Sequence, residues 1–164
     1  MRHHFLRRAG LALAVVGLVV GIGAPDAGAV GPAGADGFNA APLLPPGPGV
    51  YTGNNLTATA QAGEPAIDGN TPAASVWWKY RRRTPGTVQL TTRGANFDTV
   101  LAVYRGTSVQ SLTLVRENDD ANPNVLWSRV RFQARANVTY RVKIDGYESP
   151  PVRRGRYVLR VTLP

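Results

Sequence analysis

The feature that most constrains the fold is a run of short segments, between residues 75 and 163, in which apolar and polar residues alternate. In the last of them, Tyr157, Leu159, Val161 and Leu163 share one parity. Alternation with a period of two places one set of side chains on each face of a β-strand. Residues typical of turns separate the segments, and no stretch shows the apolar period of a helix. The pattern predicts an all-β domain.

Seven segments of this region are predicted as strands. One of them, Thr99–Tyr104, is apolar on both parities, so we expect a central strand that is buried on both sides. Many short strands without a helix are typical of a β-sandwich or a small barrel. The predicted strands are Ser75–Arg82, Thr87–Thr92, Thr99–Tyr104, Leu112–Arg116, Arg129–Ala134, Val138–Ile144 and Tyr157–Leu163.

The N-terminus has the layout of a secretory signal peptide. Arg7 and Arg8 precede the apolar stretch Ala9–Ile22, and the small residues of Ala27–Ala29 form a cleavage motif. The apolar stretch is shorter than the roughly 20 residues that a membrane span needs. We therefore predict that residues 1–29 are removed and that the protein is secreted, to the extracellular space or the periplasm, without a membrane anchor. An uncleaved anchor is the alternative, and the paired arginines leave Sec and twin-arginine export both open.

The next segment, Val30–Gly49, is rich in glycine, alanine and proline and includes Pro45–Pro48. This composition predicts an extended linker. Residues 50–164 then form one β-sandwich domain, which we expect to be monomeric.

The chain has no cysteine, and both histidines, His3 and His4, lie in the predicted signal peptide. The remainder therefore lacks the side chains of Ser-His-Asp and Cys-His catalysis and of ordinary zinc sites. Glycoside hydrolysis needs two carboxylates facing each other across a cleft. Asp119 and Asp120 are instead neighbours in the sequence. We predict no catalytic residues, no required cofactor and no enzymatic activity.

Six short motifs together resemble the bacterial pre-peptidase C-terminal domain family. The resemblance covers about Gly53–Pro164 and implies a jelly-roll-like antiparallel β-sandwich. It also implies an accessory domain of exported proteins, some of whose relatives bind calcium or a polymeric substrate. The motifs are Gly63-Glu64-Pro65, Ser75-Val76-Trp77-Trp78, Phe97–Tyr104, Asn118-Asp119-Asp120, Ser128-Arg129-Val130 and Asp145-Gly146-Tyr147.

A group of oxygen-bearing residues, part of it in the single turn Asn118-Asp119-Asp120, suggests a cation site. Calcium takes about six to eight oxygen ligands from carboxylates, amides and carbonyls. Asp98, Asn118, Asp119 and Asp120 could supply several of them. Aspartate and asparagine also form turns by bonding to their own backbone. Both interpretations stay open, and calcium is a possible rather than a required cofactor.

Basic residues occupy the predicted outward parity of three strands. If these strands are neighbours, one sheet surface would attract an anionic or polysaccharide polymer. Trp127, in a predicted loop, could border that surface. A solvated face without a ligand is the alternative. Nucleic acid is not expected as a partner of an exported protein. The basic residues are Arg129, Arg131, Arg141, Lys143, Arg156 and Arg160.

Together these features predict a non-catalytic exported β-sandwich that binds an extracellular or cell-envelope polymer, with calcium as a candidate stabilising ion. The alternative function is that of a purely structural or protein-interaction module, such as a secreted partner of an enzyme, with no polymer ligand.

Overall fold

The computed structural model describes residues 31–148 and 153–164, and the predicted signal peptide lies outside these ranges. The described residues form two β-sheets and one short 3-10 helix, Val109–Ser111. Within these ranges no helix is long and apolar enough to cross a membrane. The strands are β1 (Leu43–Leu44), β2 (Gly49–Asn54), β3 (Val76–Arg81), β4 (Gly86–Thr91), β5 (Thr99–Arg105), β6 (Thr113–Asn118), β7 (Arg129–Ala134), β8 (Thr139–Gly146) and β9 (Arg156–Thr162).

The strand order is that of a jelly roll. One sheet has the order β2-β9-β4-β7, and the other has β3-β8-β5-β6 with β1 added beside β3. All pairings are antiparallel except that of β1 with β3, which is parallel. The predicted fold class, a jelly-roll-like antiparallel β-sandwich, is therefore confirmed. All seven predicted strands are present, each with ends within two residues of the prediction.

The main core fills the space between the two sheets. Strand β7 shows the expected alternation of exposed and buried residues, with Val130 and Phe132 turned inward. The rings of Trp78 and Tyr157, from opposite sheets, meet edge to face at 5.3 Å. Each such buried large apolar side chain stabilises the fold by about 1.5–3 kcal/mol. The alternation in the sequence thus reports the burial of this layer correctly.

A second, smaller core lies on the outer side of the five-stranded sheet. Residues 35–42 and 61–70, which we call the cover, lie across this face and contribute Phe38 and Ile67 to the small core. Phe38 packs edge to face on Trp77 at 5.2 Å. Because the cover lies over it, strand β5 is buried on both sides along nearly its whole length, as predicted.

The prediction of a linker at residues 30–49 is wrong for its described part. Phe38 and Leu44 are each 1% exposed, and β1 pairs with β3. The backbone N–H of Lys79 donates to the carbonyl of Pro42 at 2.7 Å. The composition is dominated by glycine and proline, so the few apolar residues give no strand pattern in the sequence. The segment can still pack on the domain, because proline-rich chain is extended and can lie along a sheet edge.

The sequence pattern does not predict strand β2, and the two glycines of this strand explain why. Glycine is depleted in strands, so the segment carries a weak strand signal. At Gly53 a Cβ atom would collide with the ring of Tyr157, so the close approach of the backbone to this ring requires glycine.

Candidate functional site

Three carboxylates converge at one end of the sandwich. Asp98 immediately precedes β5, while Asp119 and Asp120 follow β6. The two strands are antiparallel neighbours, with Leu101 opposite Asn118, so the start of one lies beside the end of the other. As a result, one carboxylate oxygen from each aspartate lies within 4.8 Å of the others. We call these three residues the acidic cluster.

The electrostatics of the acidic cluster are unfavourable without a cation. Each of Asp98, Asp119 and Asp120 has one buried carboxylate oxygen with no hydrogen-bond partner. Burial, and then the charge of Asp120, raises the pKa of Asp98. Burial, followed by the charges of Asp120, Asp98 and Asp68, raises the pKa of Asp119 to about 6. Calcium binds about six to eight oxygen ligands, and three carboxylate oxygens without a hydrogen-bond donor could supply three of them. These residues therefore fit a hard cation.

Asn118 lies beside the acidic cluster but its amide is already used. Its Nδ2 donates to the carbonyl of Asp120 at 2.9 Å, and its Oδ1 accepts from the backbone N–H of Arg129 at 2.7 Å. The side chain therefore bridges the two ends of the loop between β6 and β7. In this geometry Asn118 positions the carboxylates rather than offering a free ligand atom.

The outer face of the four-stranded sheet carries four of the six predicted basic residues. Thr91 pairs with Arg129 on one side and with Arg160 on the other, so these two arginines flank it on the same face. Two strand spacings separate them by about 10 Å, and Arg131 lies about 7 Å further along β7. Arg156 completes the set on β9, and all four arginines are exposed. We call this surface the arginine face.

Nothing on the strands of the arginine face compensates its charge. Strands β2, β4, β7 and β9 contain no aspartate or glutamate. The acidic cluster lies outside them, in the turn before β5 and the loop after β6. A surface with one sign of charge attracts counter-ions and charged ligands. Among the described residues, the strands of the arginine face therefore carry only positive charge, and its four arginines are exposed.

Trp127 lies at the edge of the arginine face, half-buried in the loop that precedes β7. The guanidinium carbons of Arg93 and Arg129 lie 5.9 and 6.0 Å from its ring centroid. Arg160 in turn donates from Nε to the carbonyl of Arg93 at 3.2 Å. Trp127 thus holds two exposed cations in place. Sequence reasoning missed Arg93, because Arg93-Gly94 indicates only a turn.

Two of the predicted polymer-binding residues are placed elsewhere. Arg141 and Lys143 lie on β8, which belongs to the other sheet, so the six basic residues do not share one surface. They do point away from the main core, but the cover buries them to 9% and 0% exposure. Arg141 stacks on the ring of Phe38 at 4.0 Å and donates to the carbonyl of the same residue at 3.2 Å. The prediction that they form part of an exposed surface is wrong.

Lys143 is paired within the protein. Its Nζ lies 3.0 Å from Oε2 of Glu64 and 3.8 Å from Oδ2 of Asp145. It also donates to the carbonyl of Pro65 at 3.0 Å. Two motifs that suggested the family, Gly63-Glu64-Pro65 and Asp145-Gly146-Tyr147, therefore meet around one buried lysine.

Comparison with solved structures gives a structural likeness, whereas the two sequence comparisons give none. No protein-family model matches the chain, and no curated protein matches it. Among solved structures, the chain is similar to the pre-peptidase C-terminal domain of a collagenase from Bacillus anthracis. The likeness has a TM-score of 0.46 and 13% sequence identity, and covers 74% of this chain and 94% of that one. The family of this structure is the one that the sequence motifs resemble.

Proposed function

We propose that this chain is an exported, non-catalytic module that binds an anionic polymer through the arginine face. The observation that carries the proposal is a sheet with four outward arginines and no acidic residue on its strands. The N-terminal sequence supports export. The absence of cysteine and of histidine beyond His4 supports a role other than catalysis.

Arginine suits this role because its guanidinium group is planar and always charged. It donates two parallel hydrogen bonds to a carboxylate or a phosphate. Cations spaced about 7 to 10 Å apart on a sheet can contact several charges of one chain at once. Binding then releases the counter-ions of the polymer, so the affinity falls as the salt concentration rises.

The test is titration of the protein with polyphosphate and with polygalacturonate, and with uncharged dextran as the reference polymer. The face variant replaces Arg129, Arg131, Arg156 and Arg160 by glutamine. The control variant removes the same charge elsewhere, from four exposed arginines outside the arginine face. These are Arg81, Arg83, Arg105 and Arg116.

We expect the wild type to bind at least one polyanion and not dextran. We expect the face variant to lose at least about tenfold in affinity, since several contacts of about 1 kcal/mol are removed together. The control variant should keep most of the affinity. Equal losses in the two variants would indicate attraction by net charge alone. No binding to either polyanion would favour the alternative of a structural or protein-interaction module.

A second proposal concerns the acidic cluster, which we propose to be a calcium site that stabilises the fold. Its support is the set of three buried carboxylate oxygens without hydrogen-bond partners. Asp98, Asp119 and Asp120 would hold the ion, and backbone carbonyls or water would complete its ligand set. Calcium would neutralise the repulsion among the carboxylates and stabilise the folded state by mass action. Thermal unfolding in excess chelator and in millimolar calcium tests the proposal.

A further inference from the structure

Glu64 of the cover and Lys143 of β8 lie side by side, and both side chains are 0% exposed. Ion pairs of this kind are costly, because both charges lose their hydration. Both groups also make hydrogen bonds beyond the ion pair, which fix the carboxyl group and the amine against each other. We propose that the Nζ of Lys143 and the Cδ of Glu64 join in an isopeptide bond, which forms within the folded chain without a separate enzyme or a cofactor.

The carboxyl group of Glu64 is polarised through one of its oxygens. Oε1 accepts hydrogen bonds from the backbone N–H of Gln61 at 3.0 Å, from Oγ of Ser75 at 2.9 Å and from Nε1 of Trp77 at 3.3 Å. Three fixed donors on one oxygen would stabilise the negative charge that develops there when the carbon becomes tetrahedral. The other oxygen, Oε2, is buried, accepts no hydrogen bond and has the amine as its neighbour.

The amine of Lys143 is held against this carboxyl group. It lies 3.0 Å from Oε2, and its donation to the carbonyl of Pro65 at 3.0 Å fixes its direction. The ring of Trp77 lies under it, with the centroid 5.5 Å from Nζ. Two groups that are held in the geometry of reaction can react as if at an effective concentration of about 10⁵ M or more.

The bond requires only proton transfers and the loss of one water molecule. The ammonium group first passes a proton to Oε2, which gives a neutral amine and a carboxylic acid. Nζ then attacks Cδ to form a tetrahedral intermediate. The negative charge of this intermediate lies on Oε1, which accepts the three hydrogen bonds. A second proton moves from Nζ to the Oε2 hydroxyl through Oδ2 of Asp145, which lies 3.8 Å from the amine. The Cδ–Oε2 bond breaks, water leaves, and a neutral amide remains.

The environment favours this amide. It replaces two buried charges by one neutral group that keeps the carbonyl oxygen on the same donors. The cover also excludes the water that would hydrolyse it. The bond would tie the cover to β8 across a long stretch of sequence, in a chain that has no cysteine for a disulfide.

Mass spectrometry of the purified full chain under denaturing conditions tests the proposal. Lys79 and Lys143 are the only lysines of the chain, which makes digestion after lysine informative. With the bond, the intact mass is one water molecule below the sequence mass. Cleavage then occurs only after Lys79, and the two products stay joined through Glu64 and Lys143. A tandem spectrum of the joined product should locate the bond.

The Lys143→Arg variant should regain the full sequence mass, and the Lys79→Arg control should retain the deficit of one water molecule. A wild-type chain with the full sequence mass, cleaved after both lysines into three separate peptides, would overturn the proposal. A deficit without joined fragments would overturn it as well, because the water would then have been lost elsewhere. Both outcomes are read on the wild type and do not depend on the folding of a variant.

Discussion

The two outer faces of the sandwich carry basic residues at equivalent positions of the alternation, yet only one of them is open. On β7, Arg129 and Arg131 point away from the core and are exposed. On β8, Arg141 and Lys143 also point away from the core but are buried under the cover. The same sequence pattern thus gives a surface in one sheet and a second core in the other.

The difference shows what alternation can and cannot report. A period of two identifies which side chains leave the main core, because successive residues of a strand point to opposite faces. It contains no information on whether another part of the chain covers the outward face. Here the covering residues, such as Phe38 and Ile67, lie in stretches without a strand or helix pattern.

The largest effect is expected at the buried pair. Glu64→Ala removes the carboxylate nearest to Lys143 and leaves the buried ammonium with only the more distant carboxylate of Asp145, at 3.8 Å. We therefore expect a loss of about 3–5 kcal/mol in the free energy of unfolding. Arg131→Ala, at an outward position of the open face, should change it by less than about 0.5 kcal/mol. Urea unfolding measures both. Similar values for the two variants would mean that the faces do not differ as described.

The next effect tests whether the residues before β2 belong to the domain. Leu44 is 1% exposed and its neighbour Leu43 is 57% exposed. Leu44→Ala should therefore cost about 2–5 kcal/mol, as truncations of buried leucine do. Leu43→Ala is the matched control, with an expected change below about 0.5 kcal/mol. If Leu44→Ala were as mild as its control, the segment would behave as the linker that its composition predicts.

A third effect is expected at the acidic cluster. Without a cation, the pKa of Asp119 is raised from its usual value of 3.8 to about 6 in the folded state. Between these two pH values the folded state keeps a proton that the unfolded chain has already released. The contribution of this group to stability therefore falls as the pH rises through that range. Calcium at 100 times its dissociation constant should restore about 2.7 kcal/mol at neutral pH.

Asp119→Asn should raise the melting temperature in chelator at neutral pH, since it removes the unfavourable charge. The same variant should respond less to calcium, because the ion loses a charged ligand. If the wild type melts at the same temperature in chelator and in calcium, the acidic cluster is not a calcium site. The aspartates would then be loop residues without a ligand.

The smallest effect concerns Trp127. Trp127→Ala removes the ring that holds Arg93 and Arg129, and each exposed cation–π contact stabilises by about 0.5–1 kcal/mol. We expect the affinity for a polyanion to fall about two- to fivefold with little change in stability. Leu126→Ala, at the exposed neighbouring position, is the control. Equal affinity in both variants would show that Trp127 does not organise the arginine face.

Much of the fold could be predicted from the sequence, because most of the seven predicted strands alternate apolar and polar residues, β5 is a continuous apolar run, and turn residues separate them. Strands β1 and β2 could not, since few apolar anchors stand among glycine and proline there. Asp98, Asp119 and Asp120 could be named as candidate calcium ligands from their oxygen atoms and their motifs, but their convergence depends on the pairing of β5 with β6. The pairing of Glu64 with Lys143 joins residues far apart in sequence, and no local pattern reports it.

The most direct test of the difference between the two faces is an NMR titration of the isotope-labelled protein with a short polyphosphate or oligogalacturonate. Backbone amide shifts report each strand separately. The predicted result is a set of shifts confined to β4, β7, β9 and the residues around Arg93 and Trp127, which weaken as salt is added. Shifts centred on the cover or on β3 and β8 would contradict the assignment of the four-stranded sheet as the open, ligand-binding face.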